Sequence, residues 1–229
     1  MQIDVLDHGY VQEIEGWGSD ERIIEAARMS TGKGFQGWDT DAKLLAFLYN
    51  NKHATPFEMA GLVIEVKAPI FVFREWHRHR TQSYNEMSAR YIPLPDENYR
   101  PDPVAILDRI AAAGANKQAR GATDAIPDEW QVSDWLGALD EAYKRCQAVY
   151  ESGLVMGIPK EIARLPVPVA RYSRMRASAN LRNWLAFLTL RMAPNAQWEI
   201  RQYANAVAEI IGQRFPRTYA LFLGYANAS

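Results

Sequence analysis

The segment GLVIEVKAPIFVFREWHRHRTQSYNEMSARY, residues 61–91, changes its periodicity twice. Its first eight residues, GLVIEVKA, read as a buried strand. A helix starting at Pro69 then delivers an arginine cluster at its end. Beyond Arg80, an extended backbone would put Glu86, Ser88 and Arg90 on one face and Asn85 and Met87 on the other, because side chains at i and i+2 share a side. Residues 74–91 hold four arginines, two histidines, two serines, one asparagine and two glutamates. A solvated helix would mix Lys and Glu at i,i+4 spacing and a core segment would be apolar, so neither accounts for this inventory. Formal charges there sum to +2 in a chain whose total is −1, so the positive charge is local.

Working outward, IDVL near the amino terminus is a short alternating run, and SDERIIEAARMS predicts a helix capped by Ser19 with Ile23, Ile24 and Ala27 on its apolar side. TGKGFQGWD, residues 31–39, lacks the preceding strand and glycine spacing of a dinucleotide fingerprint or phosphate loop and reads as a turn region. TDAKLLAFLYNN predicts a second helix. From about residue 92 to 133 the composition turns Pro-rich, acidic, small and polar, which suits a surface excursion. Three helical runs follow, DWLGALDEAYKRCQAVYESGL, NLRNWLAFLTLR and AQWEIRQYANAVAEIIGQRF, with PVPVARYSRMRASAN reading as a strand before the second. The expected fold is α+β: a modest mixed or antiparallel sheet with helices packed around it, in a single domain over 1–229 with a surface insertion at about 95–133.

The chain has 229 residues, 48% of them hydrophobic, enough for a substantial core. Near-zero net charge argues against a general nucleic-acid coat or a polybasic membrane binder, so any anion site should be a pocket. The start MQIDVLDHGYVQ has no basic region followed by an apolar run, and no stretch approaches the apolar length of a membrane helix; a cytoplasmic protein is expected. One cysteine, Cys146, agrees with a reducing compartment. Histidines at 8, 53, 77 and 79 do not form the spaced pairs of a zinc site, and no metal is expected.

Guanidinium forks fit phosphate oxygens, Ser hydroxyls and backbone amides complete such a shell, and Asn can read the amide edge of a pyrimidine or flavin ring. The alternative is a structural ion-pair network in which Arg78, Arg80 and Arg90 serve Glu75, Glu86 and Glu58. R-H-R-x-x-S-x-N-E-x-S-x-R, Arg78 to Arg90, resembles the signature of flavin-dependent thymidylate synthases. Further matches are His53, Pro56, Phe57 and Glu58; KAPIF at 67–71; Pro159, Glu161, Ala163 and Arg164; Asn180 and Arg182; Leu190 and Arg191; and AQWEI at 196–200. They cover most of the chain outside the insertion.

The resemblance implies methylation of dUMP to dTMP with 5,10-methylenetetrahydrofolate as carbon donor and NADPH as reductant through FAD. It implies FAD held by Ser30, His53, Thr55, Glu58, Arg78, His79, Arg80, Asn85, Glu86, Asn180 and Arg182. It implies nucleotide held by Glu75, Arg78, Glu86, Ser88, Arg90, Arg164 and Arg191, in sites shared between subunits of a homotetramer. Arg191 would act on the uracil ring, and His53 would sit at the flavin and influence electron transfer. Three positions depart from the family pattern: Glu75 where Gln is frequent, Ala186 where Asn is frequent, and Asn195 where His is frequent.

Methylating uracil at C5 requires enolate-like character there, which a cysteine nucleophile can supply. Cys146 is placed by its spacing with Ala142 and Val149 on an apolar helical face, which predicts a packed position. Activation without a thiolate must come from polarising the ring or from hydride delivered by reduced flavin, and both need fixed positive charge aimed at the pyrimidine. Two rivals are an enzyme making another C5-modified pyrimidine nucleotide from the same folate donor, and a nucleic-acid module using residues 74–91 and RYSRMR at 171–176. His8 reads as a surface turn residue, His77 as packed or solvent-facing, and the tryptophans as mostly core.

Overall fold

The computed structural model describes residues 1–112 and 125–226. Five strands, β1 (Gln2–Val5), β2 (Gly9–Trp17), β3 (Gly61–Pro69), β4 (Ser83–Glu86) and β5 (Tyr172–Asn180), form one sheet in the order β1-β2-β3-β5-β4. Every pairing is antiparallel, so the expected α+β class holds with an antiparallel sheet. The central pair β3 and β5 is in register from Gly61 opposite Asn180 to Pro69 opposite Tyr172. On β3, Leu62, Ile64, Val66 and Ala68 are fully buried, whereas Val63, Glu65 and Lys67 are not. The alternation marks a sheet with one core face and one wetter face.

Helices α1 (Asp20–Arg28) and α2 (Trp38–Asn50) follow β2, and α3 (Ile70–Trp76) leaves β3 directly. Ser19 caps α1 as its sequence predicts, its Oγ accepting from the Arg22 amide at 3.3 Å. Then come α4 (Pro103–Ala112), α5 (Glu129–Val155), the short α6 (Lys160–Ala163), α7 (Leu181–Arg191), α8 (Trp198–Arg214) and α9 (Pro216–Ala226). The core face of the sheet is covered by residues of α3, α7 and α8, where Trp76 lies 4.6 Å from Phe187 in a stacked pair and meets Trp184 edge-on. Burying several such rings supplies much of the apolar stabilisation. Trp76 also donates from Nε1 to Gln82 Oε1 at 3.0 Å, which ties the end of α3 to the turn before β4.

Four local expectations are corrected. β2 was not evident in the sequence, and its register shifts between Glu13 and Glu15. The insertion expected at about 95–133 runs into α5, which starts at Glu129 with a capping box between Asp128 and Gln131; its residues 113–124 lie outside those described. The buried positions of α5 are Val132, Leu136, Tyr150 and Gly153, while Ala142 and Val149 are exposed and Cys146 is only partly covered, so that face is not packed core. Trp130 and Trp135, on the same helix, are exposed.

Candidate active site

Three groups of side chains carry the arginine-rich chemistry. The first sits where α3 ends and α7 ends. Arg191, last residue of α7, donates from Nε to His79 Nε2 at 2.8 Å, from Nη1 to the Glu75 carboxylate at 3.0 Å and from Nη2 to the Glu75 carbonyl at 2.9 Å. Its side chain is 16% exposed. Burial and the neighbouring Arg191 charge, partly opposed by Glu75, depress the His79 pKa to about 4. His79 is therefore neutral near pH 7.

The second group surrounds the turn after β4. Extended backbone ends at Met87, whose amide still pairs with the Arg174 carbonyl at 2.8 Å. Ser88 then opens a turn, its carbonyl accepting from the Tyr91 amide at 3.0 Å, so the expected alternation does not reach Arg90. Arg90 pairs with Glu161 at 3.2 Å, and Lys160 donates to the Tyr91 carbonyl at 2.7 Å. These contacts bring α6, with Arg164 at its C-cap, to the Ser88 turn. Asn85 and Glu86 are exposed on β4, an edge strand.

The third group lies between the end of α2 and α7. Thr55 opens a short helical turn, Thr55–Met59, and Glu58 within it pairs with Arg182. Asn180 caps α7, its Oδ1 accepting from the Asn183 amide at 3.0 Å. A cavity of about 400 Å³ opens here, lined among others by Leu48, His53, Phe57, Arg182, Ala186 and Thr189. His53 is exposed, its ring 5.4 Å from that of Phe47. Ala186 leaves that wall apolar where the resemblance implies an amide. Ser30 is exposed after α1 and donates to the Ala27 carbonyl at 3.2 Å; no contact joins it to the cavity among the described residues.

The expected ion-pair network, with Arg78, Arg80 and Arg90 serving Glu75, Glu86 and Glu58, is not formed among the described residues, although Arg90 is paired elsewhere. Arg182 serves Glu58, Arg191 serves Glu75 and Arg90 serves Glu161. Arg78 and Arg80 are exposed and, among the described residues, have no side-chain partner. Exposed, unpaired guanidinium groups are donors suited to an anionic ligand, and the cavity, whose lining includes Arg182 but neither Arg78 nor Arg80, has an apolar wall that suits a ring system. Sequence reasoning missed Lys52, Leu185 and Thr189 in that wall. Leu185 and Thr189 follow Arg182 by three and seven residues, a helical spacing that could have pointed to them; Lys52 carried no signal. Lys160 was missed as well, since only the tertiary contact with Tyr91 distinguishes it. Among the described residues, no cluster of acidic, histidine or cysteine side chains could hold a metal.

The antiparallel α+β chain thus combines an arginine held against a neutral histidine, unpaired guanidinium groups and an apolar-walled cavity, features suited to an anionic ligand that carries a ring. The family described as thymidylate synthase complementing protein matches residues 14–217. Flavin-dependent thymidylate synthase of Thermus thermophilus is 40% identical over 97% of this chain and 78% of its own length. That of Thermosipho africanus is 37% identical over 99% and 96%. A solved structure of PolB, a UMP/dUMP methylase from Streptomyces cacaoi bound with 5-Br dUMP, aligns with a TM-score of 0.83 at 31% identity over 97% of each chain. The chain belongs to the flavin-dependent thymidylate synthase family. It is accordingly a methyltransferase that converts dUMP to dTMP, with FAD as cofactor and methylenetetrahydrofolate and NADPH as co-substrates.

Proposed function

We propose that the three groups divide the reaction among them. Arg78, Arg90 and Arg164 hold the dUMP phosphate with the Ser88 hydroxyl, while Glu75 and Glu86 orient the nucleotide and Arg191 faces the uracil ring. Ser30, His53, Thr55, Glu58, Asn180 and Arg182 hold FAD together with Arg78, His79, Arg80, Asn85 and Glu86. FAD, when bound, supplies the hydride that completes the methyl group. Arg191 stabilises negative charge that develops on the pyrimidine during reaction, so no cysteine nucleophile is needed. His53 and His79 both act at the flavin, His53 also influencing electron transfer, and neither acts as a metal ligand.

The observation that carries this reading is Arg191 itself. A largely buried guanidinium at the end of α7 is held against Glu75 and His79, at the head of the arginine-rich segment. Preorganised charge in a site of low water content is worth far more than the same charge in water.

The active sites are shared within a homotetramer. Among the described residues, no hydrogen bond or ion pair joins the Ser88–Arg90 group to the Arg191 group within one chain, although both serve one nucleotide in this reading. Large apolar side chains stand exposed near α5 and α6, with Trp130 at 74%, Val155 at 88% and Leu165 at 77%. Such a surface suits a partner subunit. The enzyme works in the cytoplasm, a reading supported by its single cysteine; no helix among the described residues is long and apolar enough to cross a membrane. The test is direct: purified protein should show flavin absorption, sediment as a tetramer, and yield a product with the mass of dTMP from dUMP. A monomer that turns over dUMP would remove the shared-site picture, and a hydroxymethylated product would replace the reaction.

A further inference from the structure

We infer that Glu75 is a positioning residue that aims Arg191, with His79 as the second support, a role that rests on Arg191 facing the pyrimidine. Arginine carries five N–H groups and no acceptor. Arg191 commits one from each of its three nitrogens, to His79 Nε2 at 2.8 Å, to the Glu75 carboxylate at 3.0 Å and to the Glu75 carbonyl at 2.9 Å. One residue thus supplies two acceptors to the two terminal nitrogens, and a third acceptor four residues later fixes Nε. The guanidinium plane cannot turn without breaking at least one of these bonds. Two N–H groups remain, one on each terminal nitrogen, a fork suited to a carbonyl or deprotonated amide edge of the ring.

The same geometry settles the tautomer of His79. Its Nε2 accepts from a group that can only donate, so the ring proton is on Nδ1 and that edge remains a donor for a second ligand. A protonated imidazole would set N–H against N–H and release Arg191. Glu75, counted above with the nucleotide shell, acts through Arg191: a carboxylate is a poor neighbour for a phosphate but a good one for a guanidinium at the end of α7. Misplacement of a reacting group by about 1 Å can cost on the order of a hundredfold in rate, so a support of this kind belongs to the chemical step more than to binding.

The test uses flavin-loaded enzyme, reduced by NADPH without oxygen, with saturating dUMP and methylenetetrahydrofolate. Glu75→Ala should slow flavin reoxidation and dTMP formation by about tenfold or more, while calorimetric dUMP affinity falls by no more than it does in Arg191→Ala, because Glu75 acts on the nucleotide through that side chain. Glu75→Gln, which keeps an amide oxygen for Nη1 and preserves shape, should recover most of the rate. In an Arg191→Ala background, Glu75→Ala should cost nothing further beyond about twofold, because the group it aims is gone. Losses that multiply in the double variant, or a Glu75→Ala defect confined to dUMP affinity, would overturn the inference and make Glu75 a direct nucleotide contact. Wild-type enzyme that fails to methylate dUMP would sink the underlying reading too. Additive losses in an active wild type sink the positioning role alone.

Discussion

Arg171 donates from Nη1 to the carbonyl of Pro95 at 2.7 Å from a fully buried position. The same guanidinium reaches Asn98 Oδ1 at 3.1 Å, Gln147 Oε1 at 2.8 Å and Asp96 at 3.1 Å. One side chain at the start of β5 therefore fastens both the segment that follows the Ser88 turn and the middle of α5. Arg171→Met would leave those acceptors without their donor and should lower stability by about 3 kcal/mol, or roughly 6 to 12 °C in the thermal midpoint. A midpoint within a degree of wild type in a thermal scan would mean that the segment is held by other contacts.

The neutrality of His79 makes a pH prediction. Its pKa falls from the ordinary 6.5 to about 4, through burial first and the Arg191 charge second. The unfolded chain then binds a proton that the folded chain refuses, in the window between those values. Stability from this group is complete above about pH 6.5 and lost as pH falls toward 4. Denaturation midpoints of wild type and His79→Gln, measured from pH 7 to pH 4, should converge as the pH drops. Curves that stay parallel would show that His79 titrates normally.

Arg78 and Arg80 stand exposed and unpaired among the described residues, which is costless only in water. Charge-assisted bonds to an anion contribute about 1.5–3 kcal/mol each. Arg78→Ala and Arg80→Ala should each weaken FAD binding by roughly tenfold to a hundredfold, read as flavin absorbance retained after gel filtration. Retention at the wild-type level in both variants would move the cofactor away from this segment.

Much of this was legible in the sequence because it depends on local chemistry. The strand expected over 61–68, which extends to Pro69 in the structure, the Ser19 cap and the strand leading into Asn180 follow from periodicity and capping, and the arginine-rich segment stands out by composition. β2 escaped because the shift between Glu13 and Glu15 breaks its alternation and puts Ile14 on an exposed side. The face of α5 was misjudged because Ala142, Cys146 and Val149 are apolar enough for a core without being in one. The Ser88 turn was read as strand because nothing in SAR forbids extended backbone. The Glu75–Arg191 pair was beyond reach, since it joins residues 116 apart through the packing of α3 beside α7.

The absence of a nucleophile is testable at two hydroxyl or thiol positions. Ser88 shares its turn with Arg90, and its Oγ accepts from the Arg90 amide at 3.3 Å; no histidine or carboxylate is bonded to it among the described residues. Ser88→Ala should keep measurable turnover with a raised KM for dUMP. Cys146, partly covered on α5, should tolerate Ala with turnover within about twofold of wild type. Loss of all dTMP formation in either variant with intact dUMP binding would contradict a mechanism free of protein nucleophiles.

In the proposed reading Arg191 holds its charge ready for the ring, and that charge is used only as charge develops there. Removing one preorganised donor typically costs on the order of 3 kcal/mol, about a hundredfold or more in rate, whereas a helix-end charge is usually worth under about 1 kcal/mol of stability. The decisive measurement is flavin reoxidation without oxygen in Arg191→Ala, after reduction by NADPH and addition of dUMP and methylenetetrahydrofolate. The account predicts a protein that stays yellow, reduces normally, binds dUMP more weakly and forms dTMP at least about a hundredfold more slowly at saturating nucleotide. Reoxidation and dTMP yield at the wild-type rate would contradict it and leave Arg191 a cap for α7.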